Sequence, residues 1–141
     1  MDNFIQITDY DASIHRDILD AVTRSDAESV EICEDRAVAE MRGYLGGRYD
    51  VDAIFGARGE ERHPLVLMFA LDIAIYHLFS IHNPQKMSQI RVDRYNRAME
   101  WLKQVARQEI SVEGAPERED ADVTETLRWQ FRSEAKRVNR L

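Results

Sequence analysis

Along most of the chain, apolar residues recur at helical spacing between charged ones. From His63 to Ile81 the polar positions almost vanish, in the run His63-Pro64-Leu65-Val66-Leu67-Met68-Phe69-Ala70-Leu71-Asp72-Ile73-Ala74-Ile75-Tyr76-His77-Leu78-Phe79-Ser80-Ile81. Pro64 suits the first turn of a helix, where a missing N–H costs nothing. The run is about five turns long. It is apolar nearly all the way round, so it predicts a helix buried on every side. Asp72 and His77 interrupt it, and its unbroken apolar stretches fall short of the ~20 residues of a membrane span. The pattern therefore predicts the central helix of a helical domain with no membrane partner. A small domain has little chain with which to surround such a helix, so part of its surface is expected to meet another subunit.

The flanking patterns predict further helices. Phe4-Ile5-Gln6-Ile7-Thr8 is a short apolar lead, a strand or an extended segment. Thr8 or Asp11 would cap a helix over Ala12–Thr23, with Ile14, Ile18 and Val22 on one stripe. Ser25-Asp26-Ala27-Glu28 reads as a capping box. The helix after it should run to about Leu45, with Val30, Cys33, Ala37, Met41 and Tyr44 or Leu45 inward, and Gly46-Gly47 as a left-handed stop. Arg48–Arg62 reads as a long loop pinned by Tyr49, Val51, Ile54 and Phe55. His82-Asn83-Pro84 ends the central helix. A last helix then starts at Pro84 or Ser88 and reaches about Glu109, with Tyr95, Ala98, Met99, Leu102, Val105 and Ala106 inward.

Beyond Ile110 the composition changes. Gly114, Pro116 and the acids Glu113, Glu117, Glu119, Asp120 and Asp122 predict an exposed acidic linker over 111–122. The tail over 123–141 is basic, with Arg128, Arg132, Lys136, Arg137 and Arg140 against Glu134. Leu127, Phe131, Ala135 and Val138 would form a helix stripe there, and an extended arm is equally consistent. The expected fold class is all-α: a small bundle of about four helices around a hydrophobic central helix over 1–110, with a long loop and a detached tail.

A length of 141 residues suits one domain with a real core. The net charge of −7 argues against general or specific nucleic-acid binding. Cys33 is the single cysteine, which excludes an internal disulfide and favours a reducing compartment. Met1-Asp2-Asn3-Phe4 carries no basic stretch ahead of an apolar run, so no signal peptide is expected.

Site chemistry is sparse. No glycine-rich phosphate loop follows a strand, and no cysteine or histidine pair has zinc spacing. No catalytic residue, metal or cofactor is expected. Cys33 reads as a small buried hydrophobe. Glu28, Glu31, Glu34 and Asp35 share one helix, as the magnesium-holding acids of helical nucleotide hydrolases do. Such a site needs a facing acidic pair, and Glu117 with Asp120 falls in the linker, so a solvated face is expected. Asp72 is the exception, because a carboxylate in an apolar helix needs a partner. Arg94, Arg91 or Arg48 would pair with it in a polar clamp that fixes helix register, and His77 would share the site.

Three segments carry a family likeness: Tyr44-Leu45-Gly46-Gly47-Arg48-Tyr49-Asp50, Leu71-Asp72-Ile73-Ala74-Ile75-Tyr76-His77-Leu78, and Arg94-Tyr95-Asn96-Arg97-Ala98-Met99-Glu100-Trp101-Leu102. Their order resembles that in a family of small morphogenesis proteins of Mu-like phages and prophages. That family is similar in layout to the head–tail connector (adaptor) proteins of long-tailed phages, helical subunits that form a ring beneath the portal. The likeness spans about Phe4 to Ile110. It implies a non-enzymatic structural subunit in a homo-oligomeric ring, with phage portal and tail proteins as partners. It also implies a location in the bacterial cytoplasm and then in the virion. The basic tail, through Arg128, Phe131, Arg132, Lys136, Arg137 and Arg140, would supply assembly contacts. The alternative is a metal-dependent nucleotide hydrolase using the Glu28–Asp35 face.

Overall fold

The computed structural model describes residues 3–15, 18–20 and 27–119. Four α-helices have bounds within these residues: α1 over Ala27–Leu45, α2 over Val51–Gly56, α3 over Pro64–His82 and α4 over Gln89–Ala106. Three 3-10 turns, at Ile7–Ala12, Gly59–Glu61 and Pro84–Lys86, complete the order. No strand occurs among the described residues, and the fold is all-α. The expected capping box at Ser25 lies outside the described residues, as does everything from Asp120 onward.

α3 is the core, and α1 and α4 both pack on it and on each other. His63 caps it: its Nδ1 accepts from Val66 N at 3.4 Å, with Pro64 in the first turn. Asn83 and Pro84 end it. The six consecutive residues Ala70 to Ile75 are all buried, Asp72 among them. By length and composition α3 is long and apolar enough to cross a membrane, yet over half of it is buried inside the bundle. The side chains of α3 that could meet another subunit lie towards its two ends. α1 and α4 cover its middle, and its exposed residues are Pro64, Leu65 and Met68 at one end and Ser80 and Ile81 at the other.

α1 buries Val30, Cys33, Ala37, Met41 and Leu45, as its pattern predicts. The expected left-handed stop does not form: neither Gly46 nor Gly47 has positive φ. Gly46 is needed for closeness instead, since a Cβ there would lie 2.8 Å from the Arg42 carbonyl. Ser88 caps α4, which buries Ala98, Leu102 and Val105 and leaves Ala106 exposed. α4 stops at Ala106, short of Glu109, because Gln108 turns left-handed at φ 63°.

The N-terminal segment departs further from its pattern. A 3-10 turn over Ile7–Ala12 stands before the start expected for a helix at Ala12, closed by the Gln6 N–H donating to Asp9 at 2.7 Å. Ile14 and Leu19 are buried while Ile18 is half exposed. Phe4 packs edge-to-face on Phe55 at 5.0 Å, which joins this segment to α2 in the long loop. Tyr49, Ile54 and Phe55 are buried, so the loop is pinned as expected.

Residues 111–119 are not a free linker. The Val112 N–H donates to the Tyr49 hydroxyl at 2.8 Å, Asp50 N to the Pro116 carbonyl at 2.9 Å, and Arg118 N to the Arg48 carbonyl at 3.0 Å. Val112 is buried, and His63 Nε2 meets the Glu113 carbonyl at 2.7 Å. Most side chains here are exposed, but the backbone is docked, which composition alone does not reveal.

Candidate functional site

α3 and α4 run antiparallel with their contacts in step. Phe69 packs against Trp101 at 4.7 Å with the rings tilted by 31°, Asp72 pairs with Arg97, and Tyr76 stacks on Tyr95 at 3.9 Å. The polar step sits between two aromatic ones. The Arg97 Nη2 donates to Asp72 Oδ2 at 3.4 Å, and the Arg97 guanidinium lies 5.6 Å over the Phe69 ring. Burial raises the Asp72 carboxyl above the usual range, and Arg97, Arg94 and Arg91 act against that rise.

The expected clamp therefore forms with a different arginine. Arg97 makes the hydrogen bond, while Arg94 acts on Asp72 through its charge and donates to the Ser13 carbonyl at 3.4 Å. Arg91 donates to the same carbonyl at 2.8 Å. Arg48 is elsewhere: its Nη2 pairs with Glu117 at 3.1 Å beside the docked 111–119 segment. His77 does not share the Asp72 site, because its Nε2 lies 2.8 Å from Glu40 on α1. The pairing follows from register. Arg94 and Arg97 are a turn apart, and the in-step contacts put Arg97 opposite Asp72.

Asp72→Ala is expected to cost about 1–3 kcal/mol, read from the shift in urea-unfolding midpoint. This is below the ~3–5 kcal/mol usual for breaking a buried pair, because the Arg97 side chain is 57% exposed and turns to water. Asp72→Asn should cost less than Asp72→Ala, since burial already disfavours the charge. A larger loss for Asn than for Ala would show that the carboxylate charge, not its packing, holds the register.

A second polar centre was not legible in the sequence. Glu34, expected on a solvated face, is buried at 6% exposure, and its Oε1 accepts from the buried Tyr10 hydroxyl at 2.8 Å. Burial pushes its carboxyl up to about 7, against hydrogen bonds from Tyr10 and Asn3. The same environment, burial first and then the neighbouring Glu34, raises the Tyr10 phenol. Beside this pair opens a cleft of about 330 Å³ whose lining includes Asp35, Arg42, Asp52 and Arg58. Of the acids weighed for a magnesium site, Asp120 lies outside the described residues. Glu34 turns inward, Glu117 is paired with Arg48, and no group of three metal-ligating side chains occurs among the described residues. Cys33 is buried, and that burial raises its thiol.

Against known proteins, the model of the family described as "Bacteriophage Mu, Gp36" matches residues 2–131. The chain belongs to that family. It is a Mu-like phage protein, as the resemblance of its Tyr44–Asp50, Leu71–Leu78 and Arg94–Leu102 segments implies. No curated protein and no solved structure matches it. The Gp36 match reaches past Ile110 through the docked segment, and takes in Arg128 and Phe131 but not Arg132, Lys136, Arg137 or Arg140. Those six tail residues lie outside the described residues.

Proposed function

We propose that this chain is a structural subunit of the phage particle, a head–tail connector (adaptor) that assembles as a ring between portal and tail. Membership of the Mu Gp36 family carries the reading. The placement of the ionisable side chains supports it. Asp9, Glu34, Asp72 and Glu40 are each engaged by Arg62, Tyr10, Arg97 and His77, contacts that join one segment of the fold to another. The protein acts by packing and docking rather than by turnover, with no metal or cofactor. Its partners are further copies of itself and the portal and tail proteins, with neither a specific nucleic acid nor a membrane among them. It is made in the bacterial cytoplasm and carried into the virion.

Deleting its gene from an inducible prophage tests this. Electron microscopy of the lysate is expected to show filled heads and separate tails, restored to joined particles by the gene in trans. Normal tailed particles from the deletion would overturn the reading.

The basic tail serves as a docking arm. Each contact made by Arg128, Arg132, Lys136, Arg137 or Arg140 contributes only ~0–1 kcal/mol, and their sum weakens with salt. A chain ending at Leu127 is expected to keep its helical circular dichroism and to yield fewer joined particles. Loss of helical signal on truncation would make the tail part of the core instead.

A further inference from the structure

The outer face of α1 and the open flank of α3 and α4 are complementary. α1 presents Glu28, Glu31 and Asp35 against Arg36 and Arg42, with Glu34 turned inward and Glu40 held by His77; α4 carries Arg91, Arg94, Arg97 and Lys103 against Asp93 and Glu100. On α1, Glu31, Ile32 and Asp35 lie on the side away from buried Cys33, Ala37 and Met41, and Ile32 is 43% exposed between the two acids. On α4, Ile90, Arg94, Arg97 and Trp101 fall at spacings of four, three and four, which places them on one stripe. Ile90 at its end is the most exposed large apolar residue described, and Met68 on α3 stands exposed next to Phe69, which packs on Trp101. Tryptophan, arginine and methionine are residue types that interface cores favour.

We propose that copies of this chain join head to tail, the Glu31–Ile32–Asp35 stripe of one copy packing on the Met68–Ile90–Arg97–Trp101 flank of the next. This rests on the ring reading above and names its contact. The two surfaces lie on different helices, so each copy offers one of each. Such a contact is heterologous, and it closes into a ring where the rotation between copies permits. Ile32 supplies the apolar knob, and the carboxylates on either side meet the guanidiniums.

Sedimentation velocity of the full chain tests the pairing with two variants at exposed positions. One is Glu31→Lys with Asp35→Lys; the other is Met68→Glu with Ile90→Glu. Circular dichroism checks that each is folded, and Ile90→Glu alone replaces the second should it lose helix. The parent is expected to associate beyond the dimer, and less so at high salt. Each variant is expected to self-associate more than about tenfold more weakly. An equal mixture of the two should form dimers and nothing larger, because one intact copy of each surface remains. Failure of the mixture to dimerise, or assembly of either variant like the parent, overturns the assignment. Parent-like assembly of the Met68/Ile90 variant alone would mean that the basic tail, not the flank, covers α1. A parent that stays monomeric at its highest soluble concentration also overturns the proposal. The connector reading then stands or falls on the prophage deletion, which does not depend on this contact.

Discussion

Asp9→Ala is expected to lower stability at pH 7 by about 3–5 kcal/mol, the largest single effect among the polar contacts. The Asp9 and Arg62 side chains are 11–12% exposed, and they pair through both terminal guanidinium nitrogens at 2.5 and 3.0 Å. Arg62 also donates to the Phe4 carbonyl at 2.8 Å and through Nε to the Gly59 carbonyl at 2.9 Å. One guanidinium thus holds the N-terminal segment against the loop that leads into α3. Removing Asp9 takes the carboxylate away from a largely buried guanidinium and from the Gln6 N–H. It also loosens Phe4 from Phe55. Arg62→Lys should fall closer to Asp9→Ala than to the parent, because an ammonium cannot make the forked pair. Burial raises the Asp9 carboxyl, but the hydrogen bond from Arg62, the Gln6 N–H and the Arg62 charge together bring it below 3.8. A depressed folded pKa contributes stability above the unfolded value and loses it as pH falls through the folded one. The gap between parent and Asp9→Ala, measured by urea unfolding, should therefore narrow at pH 3 and below. A gap of the same size at pH 7 and pH 2 would show that the loss comes from packing rather than from the ion pair.

The features legible in the sequence are those with local causes. Pro64 and Asn83-Pro84 delimit α3, the 3–4 spacing of Val30, Cys33, Ala37 and Met41 gives the inner face of α1, and Ser88 caps α4. What sequence reading missed depends on partners far apart in the chain. Asp9 meets Arg62 across 53 positions, and Tyr10 meets Glu34 across 24. Glu34 sits among Glu31 and Asp35, and nothing local separates the buried acid from its exposed neighbours; the signal was the phenol of Tyr10, visible only once the segments are packed. The docked backbone of residues 111–119 is hidden in the sequence for another reason. Glycine, proline and glutamate describe side chains that stay in water, whereas the docking uses backbone N–H and carbonyl groups, which every composition carries.

The burial of α3 changes the case for assembly. An apolar helix with spare surface would have argued for a subunit contact along its length. The chain instead covers the middle of α3 with its own α1 and α4, and Ala70 to Ile75 are closed off. The exposed apolar side chains are single residues set among charges, such as Ile32 on α1 and Ile90 on α4. Contacts built on them depend on charge as well as apolar area, so salt and charge reversal are the sensitive probes.

Glu34→Gln is expected to make the protein more stable at pH 8 by about 1–3 kcal/mol and to flatten its stability between pH 5 and pH 8. The folded carboxyl titrates at about 7 and the unfolded one near 4.5, so between those values the folded state holds a proton that the unfolded state has released. A raised carboxylate pKa means that the stabilisation is fully present below 4.5 and is lost as pH rises through 7. The parent should therefore gain stability on going from pH 8 to pH 5, in a window clear of Asp9, which acts below 3.8. Glutamine keeps the shape and an oxygen that accepts from the Tyr10 hydroxyl, and it carries no charge to desolvate. It should match the parent near pH 5 and exceed it at pH 8. Tyr10→Phe does the reverse: it deletes a hydrogen bond that holds the Glu34 pKa down, so the slope between pH 5 and pH 8 should steepen while stability falls by about 1–2 kcal/mol. Urea unfolding of the three proteins at pH 5, 6, 7 and 8 gives the slopes directly. An unchanged slope in Glu34→Gln would assign the titration to another group and leave Glu34 a charged acceptor of the Tyr10 hydroxyl.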